Sequence, residues 1–138
     1  MDIKQFVQLL QSDLLSEFTA ISHYVTYAAT LRGINRPELK EMFEEEAGDE
    51  LGHAQFFADK IASFGFIPQI GAKPAAAAAS PAQMISVLLG LEEQTVINYS
   101  TRADQAMALG LHALSVDIEN ILSAELKHRD ELKMMLQL

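Results

Sequence analysis

Four long stretches of this chain carry apolar residues at alternating spacings of three and four, and each of these seams is broken near its middle by an acid. The first seam reads Ile3, Val7, Leu10, Leu14, Glu17, Ile21, Tyr24, Ala28 and Leu31. The second reads Leu39, Phe43, Glu46, Glu50, His53, Phe57, Ile61 and Phe64. The third is Ile85, Leu88, Glu92, Val96, Tyr99, Ala103 and Ala106, and the fourth is Leu114, Ile118, Ile121, Glu125, His128, Leu132 and Met135. Spacing of this kind marks the buried stripe of a helix in a bundle. A lone carboxylate on such a stripe is costly and tends to take up a proton instead of staying charged. Four of them at one level need a shared partner, and no lysine or arginine on the seams supplies one.

Glycine and proline divide the chain into four helices. Residues 2–31 hold neither, and Gly33 stops the first helix. Asn35-Arg36-Pro37-Glu38 reads as a helix start, with Asn35 as cap and Glu38 completing a capping box, and the second helix runs to about Ser63. Residues 64–80 contain Gly65, Pro68, Gly71, Pro74 and the alanine run 75–79, a long connection. Ser80-Pro81-Ala82-Gln83 is a second capping box; the third helix reaches about Leu109, Gly110 stops it, and the fourth begins near His112. Short connections make antiparallel neighbours, and the middle connection is long enough to cross the bundle. The expected fold is all-α: two antiparallel helical hairpins joined by a long crossover, a four-helix bundle forming one domain over residues 1–138.

Composition narrows the function. The net charge of −9 speaks against a nucleic-acid partner and permits attraction of cations. The absence of cysteine rules out iron–sulfur clusters and disulfides. No stretch is apolar all round for a membrane span, and Met1-Asp2-Ile3-Lys4-Gln5 does not open a signal peptide, so a cytoplasmic protein is expected.

The spacing points to metal. Glu50-Leu51-Gly52-His53 and Glu125-Leu126-Lys127-His128 are both E-x-x-H, which places acid and imidazole on one helical face. One such tetrapeptide is ordinarily a surface pair; two of them, both on the seams, are not. Four glutamates balance the charge of two divalent cations, and two neutral imidazoles complete the donors. The candidate ligands are Glu17, Glu50, His53, Glu92, Glu125 and His128. Glu92 shares its face with Leu88, Val96 and Tyr99, whereas Glu93 faces solvent. Tyr24 is expected to donate a hydrogen bond to a ligand carboxylate near Glu17; Tyr99 reads as core, and His23 and His112 as ordinary residues off the seams. Glu46 could guide cations inward, and Asp49 is a weaker candidate for an outer ion. Gly52 is expected to let a neighbouring helix come close, and Phe6, Phe18, Val25 and Phe56 to form a second apolar face on the first hairpin.

In these features the chain resembles bacterioferritins and their ferritin-like relatives. Residues Glu45 to Ala54 look like the second helix of that family, Ala124 to Asp130 like the fourth, and Tyr24 matches a tyrosine kept beside the di-iron centre. The resemblance implies that Glu50 and Glu125 bridge two metals, with Glu17 and His53 completing one and Glu92 and His128 the other. It implies two Fe ions, with Mn an alternative, and oxidation of Fe(II) by O2 or H2O2, Tyr24 belonging to the reactive set. Peroxide removal, iron storage or buffering, and oxygenation of an organic substrate are the other readings. Leu51 stands where the family's haem methionine would be, so haem is not expected. The sequence stops at Leu138 after the fourth helix, without the short fifth helix of the cages, so a 24-subunit cage is not expected. Thr95 stands where rubrerythrins carry a further glutamate. A homodimer is expected, with a larger assembly left open.

Overall fold

The computed structural model describes residues 1–137, which form α1 (Ile3–Thr30), α2 (Arg36–Ser63), α3 (Pro81–Ala108) and α4 (His112–Leu136), with no strand among the described residues. The first three helices have 28 residues each, about 42 Å at ~1.5 Å per residue. α1 packs along α2 and α3 along α4, and the two hairpins meet mainly through α1 and α3. Gly33 and Gly110 turn the hairpins at φ of +108° and +79°, a backbone region costly for residues with a Cβ.

The helix ends differ in detail from the sequence reading. Asn35 precedes α2 but makes no side-chain cap, and Pro37 in the first turn carries the start alone. Arg36 instead turns back and donates from Nη1 to the carbonyls of Ala28, Ala29 and Leu31, satisfying the C-terminal end of α1. Ser80 does cap α3, its Oγ accepting from Gln83 N at 3.2 Å, but the Gln83 side chain accepts from Ala79, so the box is only half formed. The complete capping box belongs to Asp2 and Gln5 at the head of α1.

The apolar interior falls into two clusters. One gathers Phe6, Leu10, Leu14, Phe57, Ile61, Tyr99 and Ile118; the other gathers Tyr24, Leu31, Phe43, Ile85, Leu88 and Leu132. Between them lies the level of Glu17, Glu50, Glu92 and Glu125, so the packed ends of the bundle hold a polar layer in place. Phe6 is fully buried in the first cluster and is no part of an outer apolar face, while Ile3 is exposed. Phe18 and Phe56 are half-buried and Val25 is exposed. Nothing within the chain comes near a Cβ placed on Gly52, so the close approach expected there is not made inside the bundle.

The crossover, residues 64–80, lies along α1, fastened to side chains one helical turn apart. Gln11 exchanges hydrogen bonds with Ile67 O and Gln69 N, Leu15 lies under Gly71, Thr19 Oγ1 accepts from Lys73 N, His23 Nε2 accepts from Ala76 N, and Tyr27 OH donates to Ala76 O. His23 is therefore buried rather than a bystander: Nδ1–H donates to Thr19 O at 2.7 Å, which leaves Nε2 free to accept. Replacing His23 with alanine is expected to cost about 1–2 kcal/mol, because the Ala76 amide loses its acceptor. Amide exchange at Ala76 should quicken in parallel; unchanged protection there would show that the ring does not hold the crossover.

Candidate metal centre

All six seam residues meet at mid-height. Glu17 (α1), Glu50 (α2), Glu92 (α3) and Glu125 (α4) are each at most 2% exposed. His53 Nδ1 lies 2.7 Å from Glu125 Oε1, 3.7 Å from Glu17 Oε1 and 3.9 Å from Glu50 Oε2. His128 Nδ1 lies 3.0 Å from Glu50 Oε1, 3.6 Å from Glu125 Oε2 and 3.7 Å from Glu92 Oε1. The imidazole rings stack with centroids 6.5 Å apart. Glu93 is exposed on the outer side of α3.

Two groups of donors overlap here. Glu17, Glu50, His53 and Glu125 can offer one atom each within a sphere the size of a cation's first shell, and so can Glu50, Glu92, Glu125 and His128, with Glu50 and Glu125 common to both. A third, more open grouping joins His128 to Glu46 and Asp49. His128 Nε2 lies 2.6 Å from Glu46 Oε2, which approaches out of hydrogen-bond alignment, and donates toward Asp49 Oδ2 at 3.3 Å.

The electrostatics show what such crowding costs. Burial, reinforced by the neighbouring Glu50, lifts the Glu17 carboxyl well above the usual range, and burial does the same to Glu92. Glu50 is pushed up to about 8, burial outweighing its hydrogen bonds with Glu17 and His128. Glu125 goes the other way: burial opposes ionisation, but hydrogen bonds with Glu92, His128 and His53 hold it below the usual range. Burial would lower both histidines, yet Glu125 and Glu17 raise His53, and Glu125, Glu46, Glu50 and Glu92 raise His128. Protons, shared across four carboxyls and two imidazoles, thus do the work of neutralisation in the metal-free chain.

That compensation is incomplete. Glu17 Oε2, Glu92 Oε2 and Glu125 Oε2 are buried without a hydrogen-bond partner. Orphaned carboxylate oxygens converging from three helices are the mark of a missing electropositive group, and oxygen plus imidazole donors suit iron, manganese or zinc. The residues therefore fit a pair of cations.

Tyrosines brace the outer edges of the cluster. Tyr24 OH donates to Glu92 Oε1 at 2.9 Å, across the bundle and not to Glu17 on its own helix. Tyr99, which reads as plain core in the sequence, donates to Glu17 Oε1 in the same way. Burial and the adjacent carboxylates raise both phenols well above their ordinary range, which keeps them as donors. A signal for Tyr99 was present: it follows Glu92 by the same interval at which Tyr24 follows Glu17. A buried guanidinium also escapes the seam pattern. Arg102 lies off it and forms a bidentate pair with the buried Asp13, so its charge is spent there and does not neutralise the four glutamates.

Comparison with known proteins agrees with this architecture. No curated protein matches the chain in sequence. A ferritin-like, diiron-carboxylate protein from Bacillus anthracis str. Ames superposes with a TM-score of 0.95 at 34% identity, over 99% of this chain and 100% of that one. The dodecameric thioferritin of Bacteroides fragilis, a bacterioferritin-related protein, gives a TM-score of 0.86 at 24% identity, over 99% and 86%. Dps from Thermosynechococcus elongatus gives 0.92 at 18% identity, over 98% and 92%; these two share the fold. Residues 7–138 match the family model described as the ferritin-like domain. The chain belongs to the ferritin-like family.

Proposed function

We propose that this chain forms one cytoplasmic domain that holds two irons and oxidises Fe(II) with O2 or H2O2, with Glu17, Glu50, His53, Glu92, Glu125 and His128 as ligands. The observation that carries the reading is the pair of overlapping donor groups sharing Glu50 and Glu125, with carboxylate oxygens left unpartnered in a dry interior. Bound there, the irons would supply the electrons that reduce the oxidant. The protein's own part is positional and protonic. Glu50 and Glu125 reach both donor groups, Tyr24 and Tyr99 fix the outer carboxylates Glu92 and Glu17 by hydrogen bonds, and the surrounding Leu14, Leu88, Phe57 and Phe43 keep bulk water out. Glu50, protonated up to about pH 8, would release its proton as a cation takes its place.

The oxidant and metal are open to direct test. Anaerobic titration with Fe(II) should saturate near two irons per chain, and admitting O2 or H2O2 should oxidise both within one turnover. Running the titration with Mn(II) as well separates an iron oxidase from a manganese-dependent peroxide enzyme. A folded protein that binds fewer than two irons, or holds two that neither oxidant touches, rejects the proposal. The dodecamer of the Bacteroides fragilis protein is a property of that protein; for this chain a homodimer along the first hairpin accounts for exposed Val25 and Leu51 beside Gly48 and Gly52, glycines with open space above them. No helix among the described residues is long and apolar enough to cross a membrane.

A further inference from the structure

The centre is built with a hidden two-fold relation. Glu17, Tyr24, Glu50 and His53 recur at Glu92, Tyr99, Glu125 and His128, a constant offset of 75 residues. Their contacts exchange in the same sense: Tyr24 donates to Glu92 and Tyr99 to Glu17, while His53 Nδ1 meets Glu125 and His128 Nδ1 meets Glu50. The relation fails at the two outer carboxylates beside His128. Glu46, one turn before Glu50, corresponds to Ile121, and Asp49 corresponds to Ala124.

Both missing counterparts concern the same atom. His128 turns Nδ1 to the inner donor group and Nε2 to Glu46 and Asp49, so its outer nitrogen is held between two carboxylates. All ion-pair contacts of His53 are made by Nδ1, and its side chain is more exposed, 14% against 8%. An outer carboxylate on a ligand imidazole fixes the ring's tautomer and orientation, strengthens it as a donor, and contributes roughly 10–100-fold to metal affinity. Two further negative charges near one ion act in the same direction.

We infer that the two metal positions are unequal, and that Glu46 and Asp49 are positioning residues for His128 that make its half of the centre the tighter and first-filled one. This rests on the two-metal reading above. It also gives the centre a direction: the ion beside His53 is the one that exchanges, and the ion beside His128 is the one that stays.

Cobalt(II), coloured and inert to air on the timescale of a titration, tests the inference without turnover. The full chain, stripped of metal, should take up Co(II) in two resolved steps, followed by visible absorption in competition with a chelator. In the Glu46→Gln/Asp49→Asn double variant the first step should weaken roughly 10–100-fold and merge with the second, the stoichiometry staying at two. His128→Ala should remove the tight step and His53→Ala the weak one. The converse variant, Ala124→Asp, should tighten the second step, and it decides the matter if circular dichroism shows that the double variant does not fold. Two wild-type steps of equal affinity, a double variant that weakens only the second step, or an Ala124→Asp chain with unchanged binding would overturn the inference while leaving a two-metal centre standing. A folded wild-type chain that binds no cobalt overturns both.

Discussion

Glu50→Gln is expected to make the metal-free protein more stable than the parent at pH 7, and somewhat more so again at pH 9, while abolishing most of the stabilisation that metal confers. The sign follows from burial. Glu50 titrates near 8 in the folded chain against 4.5 for an unperturbed glutamate, so the folded state binds this proton more tightly than the unfolded one. Stability contributed by that proton is whole below about pH 4.5 and is lost as the pH rises through 8, a loss on the order of a few kcal/mol. Glutamine cannot ionise, and its amide oxygen can keep accepting from His128 Nδ1, so the variant escapes a loss that the parent has largely incurred by pH 7 and completes above pH 8. With metal the comparison reverses. Glu50 belongs to both donor groups, and the amide removes a charge and weakens a donor for each ion. Metal at 100–1,000 times its dissociation constant stabilises a site by about 3–4 kcal/mol, a rise in midpoint on the order of 10 °C for a chain of this size. Thermal unfolding at pH 7 and 9, with chelator and with two equivalents of Mn(II), measures all four cases. A variant whose midpoint still climbs as far as the parent's on adding Mn(II) would show that Glu50 bridges nothing. Glu17→Gln is the control, since Glu17 lies in one group only and its loss should forfeit about half the gain.

The residues of the candidate centre are legible because each violates its surroundings. A glutamate on an otherwise apolar seam needs an explanation, and Glu17, Glu50, Glu92 and Glu125 stood out for that reason; the helices were legible because Gly33, Gly65, Gly110 and Pro81 punctuate them. What stayed hidden obeys a different geometry. A seam of threes and fours marks one buried face per helix, but α1 is covered by α2, by α3 and by the crossover, so Phe6, Asp13, Thr19 and His23 are buried off the seam. Tyr99 was concealed for the opposite reason: a tyrosine on a seam looks like ordinary packing, and only its hydroxyl, aimed at a glutamate 82 positions earlier, sets it apart. The Asn35 cap failed because Arg36 is drawn back to the end of α1, a tertiary demand that local spacing does not record.

Arg102→Leu should be among the most damaging single changes outside the six proposed ligands, and Asp13→Leu in the same chain should largely repair it. Asp13 (α1) and Arg102 (α3) join the hairpins where they meet, the guanidinium donating from Nε at 2.7 Å and Nη2 at 3.0 Å while Nη1 reaches Gln105. Both side chains are almost wholly buried. Burial pushes the Asp13 carboxyl up to about 6 even against the lowering pull of Arg102, so the pair recovers less than the desolvation it incurs. Removing one partner of such a pair typically costs about 3–5 kcal/mol, whereas exchanging both for apolar groups is often neutral or better. For this chain the single variant should fall on the order of 10–20 °C in midpoint, and the double variant should return to within a few degrees of the parent. The pH dependence adds a second test. The folded carboxyl holds its proton more tightly than the unfolded one, so its protonation stabilises fully below about pH 4, and that contribution is lost as the pH rises through 6. Without Arg102 the carboxyl is lifted further still. The deficit of the single variant should therefore be largest at neutral pH and shrink on acidification, as Asp13 takes the proton that replaces its partner. Unfolding measured in chelator at pH 7.5 and 5 gives both comparisons. If single and double variants lose equally, or the deficit does not change with pH, the pair is a hydrogen-bonding brace between the hairpins and not a buried charge held in check.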